Sequence, residues 1–237
     1  SQVTTIAEQA EPDPEFSTVV SPNPEDAGAW KLSMEAAAER GSDLLLATDP
    51  DSDRLGVQCR KPDGTYHHFT GNQIGILLTN YILEVLSSRG ELPEDGMVLN
   101  SLVSTAMTGK VAESYGIEHR LVNVGFKFIA EQIKEMEESG KGTFLFGFEE
   151  SCGYLKGTYA RDKDAVVAAM LVAEVAAVCK LKGITLWDYM NEIYEKYGYY
   201  FNRLDNYAFE GASGMQKMAD MMETTRNNIP SEIAGSK

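Results

Sequence analysis

Asp49, Asp51 and Asp53 occupy alternate positions of the stretch "ATDPDSDRLGV", directly after the apolar run "LLL". Carboxylates this close repel one another. A hard divalent cation offsets that repulsion, and Mg²⁺ takes an octahedron of oxygens that it completes with water or phosphate oxygens. The plain alternative is an acidic surface turn capped by its own Asp side chains. An EF-hand calcium loop needs Gly at its sixth position and Glu at its twelfth. Arg54 and Arg60 stand there, so an EF-hand is excluded. A phosphatase with Asp49 as nucleophile and Asp51 as acid/base suits a loop after a strand, but leaves Asp53 and Arg54 without a task. Arg54 points to a phosphate. Three carboxylates and one Mg²⁺ sum to a net charge of about −1, and a phosphate adds roughly −2 at neutral pH. A neighbouring guanidinium can hold that phosphate through paired hydrogen bonds.

A second polar stretch, "FLFGFEESCGYLKGTYARDKDA", follows an apolar run. Glu149 and Ser151 lie two apart and face one side if the segment is extended. A carboxylate with a hydroxyl beside it suits neighbouring sugar hydroxyls, one accepting hydrogen bonds and the other donating. A solvated turn is the alternative. Arg161 and Lys163 put positive charge where a long helix begins, against the helix dipole. Either an anion is their partner, or they pair with Asp162, Asp164 or a nearby Glu.

These loops need elements to hold them. "SPNPEDAGAWKLSMEAAAERG" predicts a helix capped by Asn23, with Pro24 in its first turn and Gly41 at its end. "SDLLLAT" predicts a short buried strand, and "RLGVQCR" and "TYHHFT" two strands joined at "KPDG". Helices over "GNQIGILLTNYILEVLSSRG", "TAMTGKVAESYG" and "FKFIAEQIKEMEESG" alternate with strands over "MVLNSLVS", "IEHRLV" and "GTFLFG". A polar loop then runs to about Lys163, followed by helices to Lys182 and over "TLWDYMNEIYEKYG". The tail predicts a strand and then an exposed helix with Met215, Met218, Met221 and Met222 on one apolar face. His67 and His68 alternate across a strand, so surface or edge positions are expected. Alternation of strands and helices gives an α/β class, with a mixed sheet flanked by helices. Ligand sites in such sheets gather in loops after strand ends.

Composition sets outer bounds. The chain has 237 residues, 43% hydrophobic and 24% charged, with a formal charge of −15. The negative balance argues against a general binder of nucleic acid or anionic membranes. Three widely spaced cysteines show neither a disulfide framework nor a zinc pattern, so a reducing cytoplasm is expected. The longest apolar stretch, "AVVAAMLVAEVAAVC", is broken by Glu174 and too short to span a bilayer; a buried helix is expected.

Taken together, the motifs resemble the α-D-phosphohexomutases. "TDPDSDR" is similar to their magnesium loop and "GFEES" to their sugar-recognition loop. "VGFKFI" and "RDKDA" resemble further substrate-contact segments, and "SPNPE" and "EKYGYY" the bacterial phosphoglucomutase branch. The motifs occur in family order across nearly the whole chain. The resemblance implies a four-domain cytoplasmic isomerase that moves phosphate between O1 and O6 of a hexose. A phosphoserine and a bisphosphate intermediate carry the transfer. It implies Mg²⁺ on Asp49, Asp51 and Asp53, catalytic roles for Arg54 and Lys163, and substrate contacts from Gly125, Phe126, Glu149, Ser151 and Lys163. The ligands implied are glucose 1-phosphate, glucose 6-phosphate and glucose 1,6-bisphosphate.

The chain departs from the pattern at three points. Val124 stands where many members have Thr, which removes a hydroxyl. Gly153 stands where some carry His, so Lys163 becomes the candidate for proton handling. No Ser-His-Asn-Pro segment and no Ser-Gly-Thr phosphate loop is present. The expectation is therefore a fragment, its opening "SQVTT" a strand cut from a sheet. Residues 1–62 would be the end of the second domain with the metal loop, 63–200 the sugar-recognizing third domain, and 201–237 a link toward the fourth. First and fourth domains would be missing partners, and the fragment alone would lack turnover. A stand-alone phosphosugar-binding module and a metal-dependent phosphatase are the other readings.

Overall fold

A computed structural model describes residues 2–203 and 207–232. Contacts divide the chain into a unit of Ser1–Phe201 and a unit of Asn202–Lys237. The first unit contains two sheets. β1 (Leu44–Thr48), β2 (Leu55–Arg60) and β3 (Tyr66–Phe69) form an antiparallel sheet with β2 in the middle. β4 (Gly96–Ser101), β5 (Glu118–Val122), β6 (Thr143–Glu149) and β7 (Gly153–Leu155) form a mixed sheet in the order β5-β4-β6-β7. β4 runs parallel to β5 and β6, whereas β7 turns back antiparallel to β6.

Helix α1 (Lys31–Arg40) packs on the first sheet through Trp30 and Ala37, which meet Leu45. It ends at Gly41, whose left-handed φ of 63° suits a residue without Cβ. It begins later than the sequence suggests. Asn23 caps only a turn, accepting from the Glu25 N–H at 3.0 Å, and Ala27–Trp30 is a 3₁₀ segment. Asp26 takes over as the cap, accepting the Gly28 N–H at 2.8 Å.

Helices α2 (Gly71–Arg89), α3 (Met107–Ser114), α5 (Ala165–Leu181) and α6 (Leu186–Tyr197) cover one face of the mixed sheet, and α4 (Phe126–Ser139) covers the other. The larger core takes Val98, Phe146 and Phe148 from the mixed sheet and Leu55, Val57, Cys59 and Phe69 from the antiparallel one. Both sheets therefore share one apolar interior. α2 lies very close to β6: a Cβ on Gly75 would sit 2.3 Å from the Phe148 ring.

A bulge decides which way the end of β6 points. Between Met97 and Val98 the pairing with β6 skips from Phe144 to Phe146. Leu145 and Phe146 both enter the larger core, and alternation resumes with Gly147 facing Ile129 of α4. Glu149, two residues on, therefore emerges on the α4 face.

Several expectations change. Gln2–Thr5 is irregular rather than a strand. β1 is an edge strand and leaves Leu46 40% exposed, with only Leu45 of its three leucines buried. α5 is buried along one stripe only, with Val166 and Met170 in solvent. β7 lies inside the stretch expected to be loop. His67 packs against Phe69 and Trp187, and His68 against Trp30; both are half-buried on the edge strand β3. All three cysteines are buried and free.

In the second unit, α7 (Gly211–Asn227) carries the methionine face, with Met215, Met218, Met221 and Met222 at least half exposed. The expected tail strand is irregular over 199–203 and 207–209, and its middle lies outside the described residues. No helix among the described residues is long and apolar enough to cross a membrane.

Candidate active site

β1 delivers the chain into the turn 49–53, and β2 leads it out. Asp49 Oδ1 accepts the backbone N–H groups of Asp53 and Arg54 at 3.1 and 3.0 Å, which folds the turn back on itself. Ser52 takes a positive φ of 56° at its tip. Its carbonyl accepts from the Ala165 N–H at 3.0 Å, fastening the turn to the start of α5. One carboxylate oxygen each from Asp49, Asp51 and Asp53 lies within 4.8 Å of the others. Arg54 Nε sits 3.4 Å from Asp49 Oδ2 and 3.7 Å from Asp53 Oδ1.

The electrostatics of this turn fit a cation. Burial pushes Asp49 above the usual carboxylate range, and the neighbouring Asp53 and Asp51 add to the rise. Burial also acts on Asp53, but Lys163, Asp49 and Arg54 outweigh it and hold its carboxyl below that range. Asp53 Oδ1 is fully buried with no hydrogen-bond partner among the described residues. A buried, unbonded carboxylate oxygen is costly. A hard cation seated among three aspartate oxygens offsets that cost, so the donor set suits Mg²⁺.

The second polar stretch reaches the same place. Leu55 N–H donates to the Cys152 carbonyl at 2.9 Å, and Arg54 forms an isolated bridge with Gly153. The end of the aspartate turn is thus hydrogen-bonded to the turn between β6 and β7, and this joins the two sheets. Lys163 Nζ lies 2.7 Å from Asp53 Oδ2. Arg161 goes elsewhere, pairing with Glu137 of α4. Asp164 caps α5 by accepting from Val166 and Val167 N–H.

Glu149 is 6% exposed and accepts the Gly125 N–H through Oε1 at 2.8 Å. Burial raises its carboxyl above the usual range, against the pull of the Gly125 hydrogen bond and of Lys163. Gly125 caps α4 at φ 118°, a conformation that suits glycine. Ser151 does not continue the strand; residues 150–152 form a turn, with Cys152 at φ 63°. Burial pushes the Cys152 thiol up to about 12, so it is no nucleophile. Phe126 is buried in the smaller core, which leaves its backbone, not its ring, for a ligand.

Asp49, Asp51, Asp53, Arg54, Gly125, Glu149, Ser151 and Lys163 therefore belong to connected loops. Sequence reasoning missed Glu150, Ser101 and Ser104, whose side chains meet behind the β6–β7 turn at 2.8 to 3.1 Å. The signal was there in the second acid of "FEES" and in two serines at the end of "MVLNSLVS".

A mixed sheet between helical layers, with the aspartate turn and the β6–β7 turn bonded together at its strand ends, defines an α/β/α domain. The family model described as phosphoglucomutase/phosphomannomutase alpha/beta/alpha domain III matches residues 70–197, and that for domain II matches residues 1–64. The chain belongs to the phosphoglucomutase/phosphomannomutase family. Phosphoglucomutases of Staphylococcus aureus strains MRSA252 and USA300 are 38% identical to it over all 237 residues. The chain spans 42% of their length. Among solved structures, a Thermus thermophilus protein assigned as a phosphomannomutase aligns with 85% of this chain and 43% of its own, at TM-score 0.61 and 24% identity. The Paramecium phosphoglucomutase pp63/parafusin, in its open form, aligns with 81% of this chain and 31% of its own, at TM-score 0.53 and 20% identity.

Proposed function

We propose that the protein carrying this chain is a phosphoglucomutase interconverting hexose 1-phosphate and hexose 6-phosphate, and that this chain supplies its metal and sugar-binding loops. Residues 1–62 are the end of its second domain, 63–200 the third, and 201–237 a link toward a fourth. The observation carrying this reading is the bond network joining the aspartate turn, the Glu149–Ser151 turn and Lys163. A phosphatase would not need the second turn. A binding module would not need a lysine held against a metal ligand.

Each residue has a task on this reading. Asp49, Asp51 and Asp53 hold Mg²⁺, which supplies positive charge beside a phosphoryl group. Arg54 holds phosphate oxygens through its guanidinium fork. Glu149 accepts a sugar hydroxyl with the oxygen that Gly125 leaves free, and Ser151 donates or accepts at the next hydroxyl. Lys163 takes the proton of the sugar hydroxyl that receives phosphate and returns it to the sugar oxygen that loses phosphate. The nucleophilic phosphoserine comes from outside these 237 residues, and glucose 1,6-bisphosphate is the intermediate.

The test is conversion of glucose 1-phosphate to glucose 6-phosphate by the full-length protein with Mg²⁺. Replacing Asp49, Asp51 and Asp53 together by Ala should abolish it. Undiminished conversion in the triple variant would overturn the metal assignment, and release of free phosphate in place of glucose 6-phosphate would make the protein a phosphatase.

A further inference from the structure

Glu149 and Glu150 are adjacent, yet their carboxylates go to different elements. Glu149 reaches the N-terminus of α4, whereas Glu150 Oε2 lies 2.8 Å from Ser101 Oγ and 3.1 Å from Ser104 Oγ, at the end of β4. The two serine hydroxyls are also 2.8 Å from each other. Two hydroxyls bring two protons to these three contacts. Either both donate to the carboxylate, or one donates to it and the other to its neighbour's oxygen. In both arrangements every serine proton is used inside the cluster, so neither serine has a donor left for a ligand.

The serines are themselves held in place. Both are buried. Ser104 N–H donates to the Ser101 carbonyl at 3.0 Å, and the next residue, Thr105, donates its N–H to Asn72 Oδ1 of α2 at 2.9 Å. On its other side the Glu150 backbone lies hard against α2: a Cβ on Gly71 would sit 2.0 Å from the Glu150 carbonyl oxygen. Glu150 is therefore gripped at its side chain by the end of β4 and at its main chain by the start of α2.

We infer that Glu150, fixed by Ser101 and Ser104, is the positioning residue of the sugar-binding turn. It sets where Glu149 and Ser151 stand and makes the loop after β4 part of substrate recognition. This rests on the reading of Glu149 and Ser151 as sugar contacts. The β6–β7 ladder and the Leu55 N–H on the Cys152 carbonyl hold the backbone at the ends of this turn, the Glu150 carboxylate holds its middle, and Cys152 sits in a left-handed conformation that a non-glycine residue keeps only when its surroundings fix it. Contacts made equally to bound sugar and to the transition state raise KM when lost, with little change in kcat.

The experiment compares Glu150→Ala, Glu150→Gln and the double variant Ser101→Ala/Ser104→Ala in the full-length protein. Steady-state turnover of glucose 1-phosphate is paired with calorimetric titration of glucose 6-phosphate. Glu150→Ala and the double serine variant should each weaken sugar-phosphate affinity and raise KM about ten- to hundredfold, the scale of one or two hydrogen bonds to a charge, with kcat within a fewfold of wild type. Glu150→Gln keeps an oxygen that accepts both serine protons, so its KM should return close to wild type. Unchanged KM and affinity in Glu150→Ala would overturn the inference. So would Gln and Ala variants equally impaired, which would make the charge itself a ligand contact. If Glu150→Ala fails to fold, the double serine variant decides alone: unchanged KM there is equally fatal. Wild-type protein without mutase turnover would instead overturn the proposed function, and the two failures are separable.

Discussion

Lys163 Nζ stands 2.7 Å from Asp53 Oδ2, so the lysine before α5 and the last acid of the aspartate turn form one ion pair. The pair is mostly shielded, with side-chain exposures of 17% and 25%. On the proposed function the lysine competes with Mg²⁺ for Asp53 and serves a sugar hydroxyl. Replacing Lys163 by Ala should lower turnover about 10²- to 10⁴-fold, the usual size of a lost proton-transfer group. Mg²⁺ affinity by calorimetric titration should hold or rise, because a competing cation has gone. A fall in Mg²⁺ affinity would show that Lys163 serves the metal turn and not the substrate.

Gly153 gives an indirect way to move the same lysine. A Cβ there would sit 2.3 Å from Lys163 Cδ. The Gly153 backbone is ordinary strand, so alanine meets no strain of its own. The flexible lysine must yield. Gly153→Ala should cost activity in the same direction as Lys163→Ala, with a melting temperature near wild type. Adding Gly153→Ala to Lys163→Ala should cost no further activity, the non-additive result expected of two changes acting through one group. Additive losses would mean that Gly153 matters for something else, such as its bridge to Arg54. The same geometry explains why a histidine is not accommodated here: its ring would need the space that the lysine stem fills.

The sequence made the alternation of strands and helices legible because β4 and β6 are apolar runs and the helices before them, α2 and α4, have clear glycine ends at Gly90 and Gly140. The aspartate turn was equally legible, since its three ligands are local. Other features depend on pairs far apart in the chain. Nothing near Lys163 says that it meets Asp53 rather than Asp162 or Asp164. Nothing in "FEES" says that the bulge at Met97 and Val98 turns Glu149 toward α4. The short β7 was hidden in a polar stretch, because its three residues owe their pairing to the turn before them rather than to any run of strand-forming residues. The late start of α1 was hidden for the opposite reason: Asn23 and Pro24 are good helix-start residues used here to make a turn.

Burial of Glu149 predicts a conflict between stability and function. Its carboxyl is pushed up by burial, so its folded value lies above its unfolded one. Such a group favours the folded state fully below the unfolded value, and that contribution is lost as pH rises through the folded one. At neutral pH the buried charge is therefore a burden that Glu149→Gln removes, while the amide oxygen can still accept the Gly125 N–H. The variant should melt higher than wild type at pH 7, with the difference closing as pH falls below the ordinary carboxylate range. Its affinity for glucose 6-phosphate should drop, because a strong acceptor has become a weak one. A lower melting temperature at pH 7 would show that the Gly125 and Lys163 interactions outweigh desolvation.

Trp30 tests whether the segment before α1 supports the metal turn from below. Its ring is buried, its Nε1–H donates to the Pro24 carbonyl at 2.8 Å, and a Cβ on Gly56 of β2 would sit 2.7 Å from both Pro24 and Trp30. Gly56 lies beside Leu55, whose N–H reaches the Cys152 carbonyl. Trp30→Ala should therefore destabilise by roughly 3–5 kcal/mol, the scale of an aromatic ring lost from a core. Trp30→Phe should cost about 0.5–1.5 kcal/mol, since it keeps most of the packing and loses one of the two hydrogen bonds on the Pro24 carbonyl, the other coming from His68. Chemical denaturation at constant slope measures both. Mg²⁺ affinity should weaken in Trp30→Ala, because β2 loses the packing that keeps it beside the β6–β7 turn. Loss of stability with unchanged metal affinity would mean that the aspartate turn is held by its own hydrogen bonds and by α5, independently of the wall beneath it.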